Sequence, residues 1–167
     1  GLVPLIAAAR AEVAGGSCLL FDNGDSLQGS LIGDRLRLGG RGPAAALHPV
    51  IAAMNALGYD GATFGNHDMG FGPAIIERIA AGADFPVVLS NLVRDRAEQA
   101  AGDRPFLPPV AMIERQLTAP DGRQARLCIG LLGLLPPQVL MWEHHVIGSQ
   151  LQARPIVAAA RAWSEDL

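Results

Sequence analysis

The sequence predicts an α/β fold whose first half is built on a mostly parallel sheet. Three observations carry this. Short apolar runs alternate with segments of helical period, which is the pattern of strands joined by helical crossovers. Each apolar run ends directly in small polar residues, which places a site at the strand C-termini. Later, Pro120-Asp121-Gly122 joins two apolar segments, and that is the turn chemistry of an antiparallel hairpin.

The elements follow in chain order. Residues 3–13 read as a helix with Leu5, Ile6, Ala9 and Val13 on one face, broken by "AGG". "SCLLFD" at 17–22 is continuously apolar up to its final carboxylate, which suits a strand buried on both faces. "NGDSLQGS" is a loop by its glycines and small polar residues, and 31–43 end in a second one, "LGGRGP". Leu47, Val50, Ile51, Met54 and Leu57 then form an amphipathic helical stripe that stops at Gly58. A short strand at 61–64 follows, then a helix through Ile75, Ile76 and Ile79 that closes near Gly82. "FPVVLSNL" at 85–92 reads as a strand ending in Ser90 and Asn91. Segments 109–117 and 124–134 are the hairpin strands, and "LPPQ" ends the second. A last helix spans 155–166 with Ile156, Val157, Ala160 and Trp163 inward.

Composition narrows the function. Half of the 167 residues are hydrophobic, enough for a packed core and against disorder. Net charge is −3 with no cluster of basic residues, so a nucleic-acid polymer is not an expected partner. No apolar run approaches the roughly 20 residues of a membrane helix, so no membrane partner is expected either. The opening "GLVPLIAAARAEV" has neither a basic n-region nor a cleavage site, so no signal peptide is expected in it. Cys18 and Cys128 lie inside apolar runs and read as reduced core thiols.

The chemistry concentrates in two strand-end loops, Asp22–Gln28 and Asn66–Asp68. Neighbouring strand ends lie about 5 Å apart, so groups from both loops can converge on one ion. Asp25 offers hard anionic oxygens, Asn66 a neutral amide oxygen and His67 a nitrogen for a phosphate oxygen. Two metals about 3.5–4 Å apart sharing a carboxylate are a known arrangement for in-line attack on phosphorus. Gly24 and Gly65 permit tight turns before Asp25 and Asn66. The remaining polar residues have structural readings. Asp22 bonds loop amides, and Gln28 and Ser30 stabilise the loop or stand behind the ligands. Asn91 either caps a strand end or reaches the site rim as a substrate contact. His48 caps or packs a helix, His144 and His145 lie in a surface loop, and Trp142 and Trp163 are core.

"DNGDSLQGS" together with "FGNHDMGFG" resembles the calcineurin-like metallophosphoesterases, whose signature blocks include GD and GNH[DE]. "LHPVIAAMNALGYD" and "LLPPQVLMWEHH" extend the resemblance to the 5′-nucleotidase group, in the branch of 2′,3′-cyclic-nucleotide 2′-phosphodiesterase/3′-nucleotidases. The resemblance implies a sandwich of two mixed sheets flanked by helices, of which the chain supplies part. It implies two divalent ions (zinc, manganese, magnesium, cobalt or iron), with Asp25 bridging both and Asn66 on the second. His67 then contacts the phosphoryl group and Asp68 stands behind the ligands. In 5′-nucleotidases an aspartate shortly after this histidine orients it; Gly70 holds that position here. The family's Asp-x-His block does not occur in the sequence, nor does its later Gly-His-x-His block. Residues 1–167 are therefore expected to be part of an N-terminal metallophosphoesterase domain. The missing parts of the parent chain would be its partner, a C-terminal nucleotide-binding domain would be absent, and the isolated chain would be inactive. The implied substrates are 2′,3′-cyclic nucleotides and 3′-nucleotides, and the implied compartment is periplasmic or secreted. A 5′-nucleotidase or UDP-sugar hydrolase is the nearest alternative, and a non-catalytic module binding a phosphorylated ligand is another.

Overall fold

In the computed structural model the described residues are 1–13, 18–29, 31, 33, 47–119, 121–165 and 167. The expected break at 14–16, Ser30, most of the 31–43 loop and Pro120 lie outside them.

A parallel pair forms the floor of the molecule. Strand β1 (Phe21–Asp22) pairs with β2 (Gly61–Ala62), Phe21 opposite Gly61 and Asp22 opposite Ala62. Ala62 also makes a parallel bridge to Val87, so three chain segments run the same way, as the alternation predicts. Helix α2 (Pro49–Leu57) is the crossover between the first two. Its start is fixed by His48, whose Nδ1 accepts from Val50 N at 3.3 Å, and by Pro49 in its first turn. It ends at Gly58 in the left-handed conformation. Helix α3 (Pro73–Ala81) follows β2 through a 3-10 turn at Asp68–Phe71 and buries Ile76 and Ile79.

The sheet differs from expectation at 85–92. The regular strand, β3 (Leu92–Asp95), begins only at Leu92. The residues before it are extended, but their amides pair with different partners in turn. Val88 N donates to Ala62 O, Leu89 N to Pro108 O and Ser90 N to Gly133 O. β3 lies between β4 (Arg104–Pro105) and β7 (Gln152–Ala153), antiparallel to both. The hairpin is as predicted: β5 (Val110–Thr118) and β6 (Gln124–Leu132) pair antiparallel from Val110↔Leu132 to Thr118↔Gln124.

Four expectations about burial are corrected. Helix α1 (Leu2–Glu12) forms, but it buries none of its residues and Leu5 is 66% exposed. It is attached by polar contacts instead, because Arg10 donates to Leu57 O and Gly58 O at the C-terminus of α2. Cys128 is exposed, since β6 presents most of its side chains to solvent; Cys18 is half-buried, and both thiols are free. Trp142 is exposed, at the end of the short helix α4 (Val139–Trp142). His144 and His145 open another short helix, α5 (His144–Ile147), and are exposed there. In helix α6 (Ile156–Ser164) the buried residues are Ala159 and Trp163, whereas Ile156 and Val157 are exposed. The rotation of α6 is set by Trp163, whose indole N–H donates to Ser90 O at 2.8 Å.

The core gathers where these layers meet. Leu27, Phe64, Met69, Phe71, Ile76, Leu89 and Leu92 are among its buried members. Several belong to the two polar loops or flank them, so the loops stand on packed apolar anchors, each worth about 1.5–3 kcal/mol of burial. Among the described residues, no helix is long and apolar enough to cross a membrane.

Candidate functional site

The register of the parallel pair decides where the chemistry lies. Because Asp22 stands opposite Ala62, the loops after β1 and β2 leave the same edge of the sheet. Asp22 shapes the first loop, as expected. Its Oδ1 accepts from Gly24 N at 2.9 Å and from Ser26 Oγ at 3.2 Å, an Asx turn that reverses the chain. Gly24 has φ +84°, and a Cβ there would overlap Gly65 N and Phe64 C. The backbones of the two loops therefore touch at Gly24 and Gly65. Gly65 in turn has no room for a side chain because the Asp25 carboxylate fills that space.

Asp25 has φ 57°, the one positive φ outside glycine among the described residues. That left-handed conformation costs about 1–2 kcal/mol for a residue with a Cβ, and aspartate tolerates it better than most. Its Oδ1 accepts from His67 N at 2.9 Å. Asn66 thus lies between Gly65 and His67, both of which touch Asp25. The loop carrying Asn66 and His67 therefore lies against Asp25.

Asp68 holds them. Its carboxylate is fully buried. Oδ2 accepts from Asp25 N at 2.7 Å and Gly65 N at 2.8 Å, and Oδ1 accepts from Leu27 N at 2.9 Å. One side chain therefore ties both loops together through three backbone amides. Burial pushes the Asp68 carboxyl above the usual carboxylate range, the three amides pull it back, and the Asp25 charge adds to the rise. This bridging between loops is not visible from the motif alone.

Asp25, Gln28, Gly29 and His67 line an open cleft of about 280 Å³. His67 is exposed there and Gln28 is half-buried. Asn91 is elsewhere in the bonding pattern. It is fully buried, its Nδ2 donates to Leu135 O and Arg154 O, and its Oδ1 accepts from Leu135 N. Its amide staples β3 to the segments after β6 and β7, so it takes the strand-capping role of the two weighed for it. Glu143 was missed: its carboxylate reaches Gly70 beside Gln28, and nothing in the spacing of "WEHH" signals this.

The donors fit a divalent cation in kind. A carboxylate and an amide oxygen with a nearby imidazole suit magnesium, manganese or zinc. They do not fit in number, because such ions take about four to six ligands. Among the described residues no three His, Cys, Asp or Glu gather into a metal-holding group. The two loops present these donors at one edge of the sheet.

Several known proteins are similar to this chain. No protein-family model matches the chain. It is 32% identical over 163 residues to a 2′,3′-cyclic-nucleotide 2′-phosphodiesterase/3′-nucleotidase of Yersinia enterocolitica, covering 98% of this chain and 24% of the relative. It is 32% identical over 145 residues to the trifunctional nucleotide phosphoesterase protein YfkN of Bacillus subtilis, covering 85% of this chain and 10% of that one. The chain thus spans about a quarter or less of the length of these curated relatives. The crystal structure of the calcineurin-like phosphoesterase YfkN from Bacillus subtilis superposes with a TM-score of 0.82 at 29% identity, covering 98% of this chain and 48% of that chain. That of a 5′-nucleotidase precursor from Thermus thermophilus gives 0.65 at 25% identity, covering 98% and 27%.

Proposed function

This chain belongs to the calcineurin-like phosphoesterases, and from that premise we propose that it is part of the catalytic domain of a metal-dependent hydrolase of 2′,3′-cyclic nucleotides and 3′-nucleotides. The observation that supports this best is the meeting of the two loops, with Asp25 against Gly65 and His67.

Each residue then has a task. Asp25 and Asn66 would be two of the ligands of the divalent ions, the others coming from outside the described residues. When bound, such ions polarise a phosphoryl oxygen and lower the pKa of water. The backbone N–H of His67 occupies Asp25 Oδ1 and so orients the carboxylate. The exposed His67 ring at the cleft donates a hydrogen bond to a phosphoryl oxygen and stabilises the charge that builds there. Asp68 keeps both loops at fixed separation, so the ligand atoms need not reorganise during the reaction. Residues 1–167 are read as part of an N-terminal domain of a periplasmic or secreted enzyme.

The test is an assay of the full-length protein with added Mn²⁺ or Zn²⁺ on 2′,3′-cyclic AMP, 3′-AMP, 5′-AMP and a UDP-sugar. Hydrolysis of the first two, lost in Asp25→Ala, is the expected result. Preference for 5′-AMP or the UDP-sugar would make the protein a 5′-nucleotidase. Tight ligand binding without turnover would make it a binding module.

A further inference from the structure

Two side chains from distant parts of the sequence approach the same point above Gly70. The point that a Cβ on Gly70 would occupy lies 3.3 Å from Gln28 Oε1, 3.3 Å from Glu143 Oε2 and 3.7 Å from Gln28 Nε2. Gln28 belongs to the first loop and lines the cleft with Asp25 and His67. Glu143 joins α4 to α5 and is mostly buried, with a side-chain exposure of 19%. Gln28 Oε1 is buried and has no hydrogen-bond partner among the described residues.

A buried polar atom without a partner costs free energy, and an acceptor on the same side of Gly70 as a carboxylate oxygen gains nothing from it. Half a turn about the last side-chain bond exchanges the amide oxygen and nitrogen of Gln28. The –NH₂ then faces the Glu143 carboxylate, which can accept a charge-assisted hydrogen bond. We propose that Glu143 is a positioning residue whose carboxylate holds the Gln28 amide at the wall of the cleft beside Asp25 and His67.

The physical benefit is order. Glutamine has a long side chain that loses considerable rotamer freedom when fixed. Anchored by Glu143, it presents a polar group to a bound ligand without that loss at the moment of binding. Gly70 is the condition for the arrangement, because any side chain there enters the space both groups use. The purpose assigned to Gln28 rests on the phosphoesterase reading of the cleft; the proposed Gln28–Glu143 pairing itself does not.

Amide-proton exchange of the Gln28 side chain, followed by NMR in the ¹⁵N-labelled full chain, tests the proposal. Exposed Gln138 is the internal reference. The Gln28 –NH₂ is expected to exchange about tenfold or more slowly than that of Gln138, as a charge-assisted hydrogen bond implies. Glu143→Leu should bring it to the Gln138 rate, Glu143→Gln should restore part of the protection, and Gly70→Ala should act like Glu143→Leu. A circular-dichroism melt of each variant identifies any that unfolds, and the other variant then carries the comparison. A wild-type Gln28 rate equal to that of Gln138, or one unmoved by Glu143→Leu and Gly70→Ala, overturns the proposal. Millimolar Mn²⁺ added to the same samples reads the metal site separately. Broadening at Asp25, Asn66 and His67 with a Glu143-insensitive Gln28 refutes only the pair. A Glu143-sensitive Gln28 without broadening keeps the pair and removes support from the phosphoesterase reading.

Discussion

Asp68 and Asp25 are joined through the main chain: the buried carboxylate of the first accepts the backbone N–H of the second at 2.7 Å. The residue that would hold the metal is thereby fixed by its own amide, leaving its carboxylate to face the cleft. The same Asp68 oxygen takes Gly65 N, so one acceptor atom sets the distance between the two loops.

Removing that acceptor should be expensive. Asp68→Ala leaves the amides of Asp25, Leu27 and Gly65 without their partner. Each buried unsatisfied group costs about 1–3 kcal/mol, so a loss of at least about 3 kcal/mol is expected in urea unfolding. Asp68→Asn should cost less, because its single oxygen still accepts, although its –NH₂ must face one of the same donors.

Asp25 presents the reverse case. Replacing it by glycine relieves a left-handed backbone worth about 1–2 kcal/mol and gives up one exposed hydrogen bond of about 1 kcal/mol. Asp25→Gly should therefore keep stability within about 1 kcal/mol of wild type. Hydrolysis by the full-length enzyme should disappear. A large destabilisation in the urea curve would contradict this account of the turn.

His67 is exposed, and its fold contact is its main-chain N–H to Asp25. His67→Ala should leave the melting temperature nearly unchanged. It should lower kcat of the full-length enzyme by about 10²–10³, the usual consequence of removing one donor to a developing oxyanion. A rise in KM with kcat unchanged would assign the ring to ground-state binding instead.

Acid sensitivity should come from a different place. Asp103 and Arg154 are buried together and hydrogen-bonded through both carboxylate oxygens. Burial raises the Asp103 carboxyl, but the Arg154 hydrogen bonds, the Ala97 amide and the nearby arginine charges outweigh it and hold it below the usual range. The folded protein thus binds this proton less tightly than the unfolded chain does. The stability it contributes is complete above the ordinary aspartate pKa of about 3.9 and is lost as pH falls through the lower folded value. Asp103→Asn should flatten that part of the stability–pH curve while lowering stability at neutral pH.

Much of this was legible in the residues. The hairpin was, because Asp121-Gly122 dictates a turn and the flanking runs have strand length. That the loops after β1 and β2 meet was, because a parallel pair fixes which loops are neighbours. What was not legible depends on partners far away in sequence. The amphipathic period of α1 predicts a buried face, yet Leu5 is exposed and Arg10 makes the attachment. "FPVVLSNL" has the composition of a strand, but its amides are shared among Ala62, Pro108 and Gly133, and no local pattern encodes that. Asn91 has the same polarity whether it meets a substrate or staples three segments; only its burial decides.

The bare contact between Gly24 and Gly65 also limits how this cleft can diversify. Neither bend can acquire even a methyl group unless the opposite one retreats, so drift at these two positions must be concerted or absent. Change is then left to rim positions that already carry a side chain, such as Gln28, because Gly29, though open, has φ +96° and resists one. The centre of the cleft is locked by its own main chain while its rim stays open to change a few residues away.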